Sequence, residues 1–393
     1  MRVILINQFH PPAVAPTGQV MADLARALAK RGHTVTVLCA ADGYDDGSRT
    51  SRSRELVDGY AVVRLGILGG GRRHPLVRLA GYGSFAAGAA TWLATHARSG
   101  DVIVPLTTPP YLGLAVQAAA PRGAKLVHWI MDLYPDVLAA HGACADGSVA
   151  YHALATLARR QWASASLVLG LGPMMEARLR RHLAPGAAST WVPLWGDASL
   201  EPAAEEPRPD GPLRLLYAGN LGLGHRYQEF LAAAERCPDT RWEFSGGGAR
   251  RREVEDFVRG HPGAPVALSG YVPLERLHQH LTAADVHLAS LQPAWQGCMV
   301  PSKLPSSFRA GRPVLFVGGE DNELALWIRE SGGGWVVACD DVAGLCAAVE
   351  AARDPAERRR RGLAAQAFAR ERFDRGRNCA RIADLIETAG RAG

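Results

Sequence analysis

MRVILINQFHPPAVAPTGQVMADLARALAKRGHTVTVLCA, residues 1–40, decides the fold. Val3 to Ile6 is a short apolar run with strand character, and a Pro-rich loop follows through Pro11, Pro12 and Pro16. From about Gly18 to Lys30 the apolar residues Val20, Leu24 and Leu28 recur every four positions, which is one face of a helix. Gly32 stands just past its end, where a left-handed cap is expected. The β-branched run Thr34 to Val37 then reads as a second strand. Strand, loop, helix and strand in this order make a βαβ unit.

The same alternation continues outward. Strands are expected near 62–65, 102–104, 125–130, 167–170 and 190–192, with helices near 76–97, 111–120, 148–164 and 173–183. EPAAEEPRPDGP (201–212) is Pro-rich, acidic and without an apolar face, so it reads as a linker. Beyond it the pattern restarts, with strands expected at 213–218, 242–244, 266–268, 286–291, 314–317 and 334–337. The fold class is α/β, two doubly wound Rossmann-like domains facing a cleft. The expected boundaries are 1–200 and 213–372, with a C-terminal helix in 373–393 crossing back to the first domain. Ligands of such sheets bind at the carboxyl ends of the strands, which predicts a site but not a reaction.

The chain has 393 residues and a formal charge of +6. Its 44 basic residues include lysine only at Lys30, Lys125 and Lys303. A modest basic excess suits anionic small molecules, an acidic membrane surface or nucleic acid. No basic–aromatic run of the nucleic-acid kind is present. The seven cysteines, among them Cys39, Cys144, Cys237, Cys298, Cys346 and Cys379, form no C-x-x-C pair and no zinc spacing. A reduced, cytoplasmic protein is the simplest expectation. The first apolar run is too short for a signal peptide. The uncharged stretch Leu79 to Thr95 falls short of the roughly 20 residues that span a bilayer. Membrane contact is therefore expected to be peripheral at most. Arg72 to Arg98, which mixes basic residues with Leu76, Val77, Leu79, Tyr82, Phe85, Trp92 and Leu93, could lie on a membrane or pack as an ordinary helix.

The most informative motif is MVPSKLPSSFRAGRPVLFVG (299–318). Pro301 and Ser302 open a helix, Ser302 is a good N-cap, and Gly311 ends the helix before a strand. Free N–H groups at Ser302, Lys303 and Leu304, beside the Lys303 ammonium, suit a diphosphate. A plain capped helix with a surface lysine has the same sequence. Gly246-Gly247-Gly248 lies between a strand and a helix, but its spacing does not make the full dinucleotide fingerprint. No G-x-S-x-G and no D-x-D motif occurs, so no metal is called for through the latter.

This segment resembles the donor-binding loop of the GT-B glycosyltransferases of family 4, most of all bacterial surface-polysaccharide transferases. PTGQVMADLARALAKRGHTVTVLCA (16–40), LVHWIMDLYPDV (126–137), WVPLWGD (191–197), LLYAGNLG (215–222), FSGGG (244–248), LSGYVPLERL (268–277) and AADVHLASL (283–291) match in the same order. The resemblance implies retaining transfer of a sugar from a nucleotide diphosphate, UDP-sugar foremost, with the donor on the second domain and the acceptor on the first. No metal and no other cofactor is implied.

Residue by residue, the resemblance implies the following. Gly18, Asn220, Arg226, Ser302, Lys303 and Leu304 would meet the diphosphate, with His225 beside Arg226 as a weaker candidate. Gly247, Tyr271, Cys298, Met299, Val300 and Ser306 would meet the donor sugar and nucleoside. Asp132 would orient or deprotonate the acceptor hydroxyl, and His10 would touch the acceptor. An aspartate capping a turn, a packing histidine at His128 and a turn glycine at Gly18 are the structural alternatives. The family's two glutamates are absent, with Cys298 and Ser306 in their places, and its first diphosphate cation is replaced by Asn220. The acceptor would be a lipid-linked glycan at the membrane's inner face or a small natural product. A nucleotide-sugar 2-epimerase and an inactive nucleotide-sugar binding protein are the alternatives on the same fold.

Overall fold

The computed structural model describes residues 1–13, 15–41, 53–68, 75–196 and 211–391. Most of the expected linker 201–212, and the basic residues Arg72 to His74, lie outside them. The chain forms two compact units, Met1–Pro193 with Gly376–Gly393, and Leu194–Arg375.

The first unit is built on eight strands: β1 (Arg2–Ile6), β2 (Thr34–Ala40), β3 (Arg54–Val57), β4 (Tyr60–Leu65), β5 (Val102–Pro105), β6 (Lys125–Trp129), β7 (Ala165–Gly170) and β8 (Ser189–Trp191). Their spatial order is β3-β4-β2-β1-β5-β6-β7-β8, parallel except for the β3–β4 hairpin. The hairpin departs from the all-parallel expectation. It turns at Asp58 and Gly59, both with positive φ, the geometry of a tight two-residue turn. The chain reverses direction across the sheet between β1 and β5. β1 is solid hydrophobic from Val3 to Ile6 because both its faces are covered. The helix Pro16–Lys30 buries Val20, Leu24 and Leu28 as its spacing predicts, and Gly32 caps it at φ +82°.

The helix Arg375–Arg391 completes this unit. Ile382 and Ile386 are buried, and Asn378 donates to the Pro193 carbonyl at 3.1 Å. Arg31 reaches Asp384 at 2.6 Å and Glu387 at 3.0 Å.

The second unit carries β9 (Leu213–Ala218), β10 (Thr240–Ser245), β11 (Val266–Ser269), β12 (Val286–Leu291), β13 (Val314–Gly318) and β14 (Gly334–Val337). All are parallel, in the order β11-β10-β9-β12-β13-β14, with the reversal between β9 and β12. Alternate residues of β9 and β10 face opposite sides. Leu213, Leu215, Tyr217, Trp242 and Phe244 join the large core beneath the helix Gln228–Arg236. Leu216 packs instead with Leu281, Ala284 and Ala310 on the other side. Each fully buried large side chain contributes roughly 1.5–3 kcal/mol to the unit. The helix Pro355–Arg372 belongs to this unit.

Candidate functional site

In the second unit, β9 and β12 pair only at Leu215–Val286 and Leu216–His287, then part toward their carboxyl ends. The turn after β9 fills the gap. Gln292 donates its N–H to the Gly224 carbonyl at 2.8 Å, and the Arg226 N–H reaches Ser290 Oγ at 3.0 Å. The crevice at this reversal is where a doubly wound sheet takes a ligand.

Glycines let three loops close on one another here. Leu221 donates to the Gly247 carbonyl at 2.6 Å, and Arg250 donates to the Leu221 carbonyl at 3.0 Å. Gly246 and Gly248 have φ of +139° and +137°, and a Cβ on Gly248 would sit 2.5 Å from the Leu221 oxygen and collide with Asn220 Oδ1. Gly248 thus lies against the Asn220 side chain and the Leu221 backbone, and Gly246 against the Gly219 backbone, with no room for a Cβ at either. Gly247 underlies Tyr271, whose exposed ring a Cβ would meet at 3.0 Å.

Lys303 crosses Gly219, where a Cβ would lie 3.2 Å from its Cε. Its Nζ donates to the Tyr217 hydroxyl and, at 3.2 Å, to the Asn220 carbonyl, and lies 3.7 Å from the centre of the Tyr217 ring. Burial pushes this ammonium well below its ordinary pKa and the Tyr217 phenol well above its own. Among the described residues Lys303 has no carboxylate partner. The neighbouring cations do. Arg226 pairs with Glu229 and Asp340, Arg250 with Glu253, and Arg251 with Glu255.

Several expectations change on these facts. The Arg226 fork is occupied by carboxylates, so it is not free for a diphosphate. His225 is buried, and burial together with Lys303 lowers it to about 3. It is neutral, with Nδ1–H donating to the Ser290 carbonyl at 2.6 Å. Ser302 precedes the helix Lys303–Arg309 with helical backbone and no side-chain cap. Pro301 and Pro305 carry no N–H, which leaves Ser302, Lys303 and Leu304 as the only consecutive amides there. The Cys298 amide is spent on the Trp295 carbonyl at 3.1 Å, and its thiol is buried against the Ala294 and Gln296 carbonyls. Met299 and Val300 follow it toward the helix, on which Ser306 is half-buried.

In the first unit, Thr107 lies just past β5 and its Oγ1 accepts the N–H groups of Met131 at 3.2 Å and Asp132 at 3.1 Å. This fixes Asp132 at the carboxyl end of β6. Burial raises its carboxyl to about 6, and among the described residues no hydrogen bond or ion pair offsets that. A carboxylate so placed can take a proton near neutral pH.

His10 differs from expectation. Its Nδ1–H donates to the Pro11 carbonyl at 2.9 Å and its Nε2 accepts from the Tyr60 hydroxyl at 3.1 Å, so both nitrogens are engaged within the unit. Burial lowers it to about 4. Gly18 makes room for the Phe9–His10 backbone, since a Cβ would stand 3.0 Å from the Phe9 carbonyl. His128 is a packing residue, lowered to about 4 by burial and pressed against Gly113.

The sequence reading missed Tyr217 and Thr107. Tyr217 sits in an apolar strand, where a tyrosine looks like core. Thr107 had a signal in the polar residues of PLTTPP (105–110) directly after a buried strand.

Residues 17–195 match the Glycosyl transferase 4-like domain. The chain is 27% identical over 254 residues to the probable glycosyltransferase WbjE of Pseudomonas aeruginosa, across 62% of this chain and 64% of that protein. It spans, then, a little under two thirds of that relative. Among solved structures it superposes on sucrose-phosphate synthase of Thermosynechococcus elongatus over 100% of both chains, with a TM-score of 0.80 at 18% identity. WaaG, a glycosyltransferase involved in lipopolysaccharide biosynthesis, matches over 100% of both chains at TM-score 0.68 and 16% identity. HepE of Anabaena, solved with UDP-glucose, matches over 99% of this chain and 100% of its own at TM-score 0.70 and 15% identity. The two-sheet architecture is that of the GT-B fold.

Proposed function

Residues 17–195 match the Glycosyl transferase 4-like domain on a chain with the GT-B fold, and from that premise we propose that the chain is a glycosyltransferase that moves a sugar from a UDP-sugar to an acceptor hydroxyl with retention of configuration. The observation that carries this reading is Lys303, an ammonium without a carboxylate partner among the described residues, at the strand crossover of the second unit. A leaving diphosphate gathers negative charge as the sugar bond breaks, and a fixed cation in a dry site stabilises that charge strongly. The amides of Ser302, Lys303 and Leu304 add donors beside it. Tyr271 offers a face to the nucleobase, and Met299, Val300 and Ser306 are the candidates for the donor sugar.

Asp132 is the candidate on the acceptor side, where it orients the hydroxyl while the departing diphosphate helps take its proton. The acceptor proposed is a lipid-linked glycan, met at the inner face of a membrane. Leu76 and Leu79, at the start of the helix Pro75–His96, are 69% and 61% exposed, and Arg78 lies between them. Among the described residues no helix is long and apolar enough to cross a bilayer.

Calorimetric titration of the full chain with UDP, GDP and dTDP tests the donor. Selective UDP binding, followed by release of UDP from a UDP-sugar only when an acceptor is present, supports the reading. Binding of none of the three overturns it. Interconversion of the UDP-sugar without acceptor replaces it with the epimerase, and binding without turnover replaces it with the inactive binder.

A further inference from the structure

An ammonium has three N–H donors. Two of those on Lys303 are taken, by the Tyr217 hydroxyl and by the Asn220 carbonyl. The Tyr217 hydroxyl in turn donates to the same carbonyl at 3.1 Å, and the Tyr227 hydroxyl lies 3.2 Å beyond it. The ammonium, phenol and carbonyl form a closed triangle, and the ring beneath adds an attraction of the cation–π kind. Gly219 lets the lysine stem cross at close range. The third donor has no partner among the described residues.

We propose that Tyr217 is a positioning residue for a nucleoside diphosphate: its hydroxyl and the Asn220 carbonyl hold Lys303 so that the remaining N–H meets a phosphate oxygen of the donor. This deepens the functional reading above and rests on it. Ring contact and hydroxyl act together, so the lysine is fixed before the ligand arrives and loses little freedom on binding.

The surroundings make the arrangement sensitive to charge. Facing Lys303 are the phenols of Tyr217 and Tyr227 and the neutral imidazole of His225. Arg250 acts on both Tyr217 and His225, and Tyr271 acts on Tyr217. None of these supplies a negative charge at neutral pH. Burial alone holds the ammonium below its ordinary pKa. A diphosphate brings the missing counter-charge, so donor binding and full protonation of Lys303 favour each other.

The test is NMR of the full chain carrying 13C-labelled lysine. Only Lys30, Lys125 and Lys303 contribute, and the Lys303 signal is the one absent from the Lys303→Ala protein. In the unchanged chain the Lys303 midpoint is expected below the other two, and saturation with UDP is expected to raise it by about one pH unit or more, equivalent to tenfold coupling. Tyr217→Phe keeps the ring and removes the acceptor. It is expected to lower the midpoint further and to weaken UDP about tenfold. A Lys303 midpoint that UDP does not move, while UDP binds, overturns the inference whether or not the variant folds. So does a Tyr217→Phe protein with unchanged midpoint and affinity. Failure of the unchanged chain to bind any nucleoside diphosphate overturns the functional reading, and the inference with it.

Discussion

Arg226 donates to the Asp340 carboxylate at 2.5 Å across 114 residues of sequence. With Glu229 on its other side, the guanidinium is a structural cation, and Lys303 is left to face an anion. Arg226→Ala is expected to lower the stability of the second unit by about 2–3 kcal/mol, because Glu229 is 2% exposed and would be buried unpaired. Its UDP affinity should stay within about threefold of the unchanged protein. Lys303→Ala should do the opposite, weakening UDP by about 10–100-fold with little change in melting temperature. Calorimetry and thermal unfolding of the two proteins check both arms. Equal losses of affinity would return Arg226 to the diphosphate.

Gly248→Ala is expected to destabilise the crevice. Its φ of +137° is strained for any side chain, and the added Cβ would stand 2.5 Å from the Leu221 carbonyl oxygen. A cost of about 1–3 kcal/mol follows, with faster amide exchange at Leu221 as the local sign. Normal protection at Leu221 in that variant would show that the loops do not depend on this contact.

Asp132 predicts a pH effect with a definite sign. Its carboxyl titrates at about 6 in the folded chain against an ordinary value of 3.8. The folded state therefore holds the proton more tightly than the unfolded one. Its contribution favours folding at low pH, falls away as pH rises from about 4 to 6, and becomes a fixed penalty above that range. Asp132→Asn should raise the melting temperature at pH 8 by about 2–4 °C and leave it unchanged below pH 4. Turnover of the unchanged protein should climb with pH through about 6, and that limb should vanish in the variant.

Four buried histidines set the acid limit. His10, His128 and His287 are lowered to about 4 and His225 to about 3, burial being the main cause in each. The unfolded chain protonates these rings first, so their stabilisation is complete above about 6.5 and is lost as pH falls toward 4. Each unit holds two of them, which gives these rings a slope of about 2.7 kcal/mol per pH unit near pH 5 in the second unit and, with Asp132 opposing them, about half of that in the first. Denaturant titrations at pH 7, 6 and 5 measure it. A flat profile would mean that these histidines find water or partners in the folded state.

Leu76 and Leu79 test membrane contact. Replacing both with serine should reduce binding to vesicles of anionic phospholipid by about tenfold or more and leave UDP affinity unchanged. Equal sedimentation of both proteins with the vesicles would remove this helix from the membrane surface.

Both sheets could be read from the sequence because parallel strands buried on two faces appear as short unbroken apolar runs, as at Val102–Pro105 and Val314–Gly318. The Arg54–Val57 strand could not be read that way. It is an edge strand, largely wet, and only Asp58-Gly59 signalled a hairpin. In the crevice, Lys303 drew attention in the sequence through its rarity and its place at a helix start, while its seat against Tyr217 and the Asn220 carbonyl came only with the structure. The pairing of Arg226 was not, since Asp340 lies far along the chain. His10 illustrates the same limit. A histidine after the first strand suits an acceptor site until Tyr60, 50 residues on, takes its second nitrogen.

The helix Arg375–Arg391 closes the unit that Met1 opens. The second unit is thus an insertion within the first, entered at Leu194 and left at Arg375. On the ribosome the first 193 residues wait for their last helix while the insertion is made, a delay of about 10–40 s at ordinary elongation speeds. Through that interval the surfaces destined for Ile382 and Ile386 have no cover. The first unit is begun before the second and finished after it, and a chain cut before Arg375 leaves the first sheet without its closing helix.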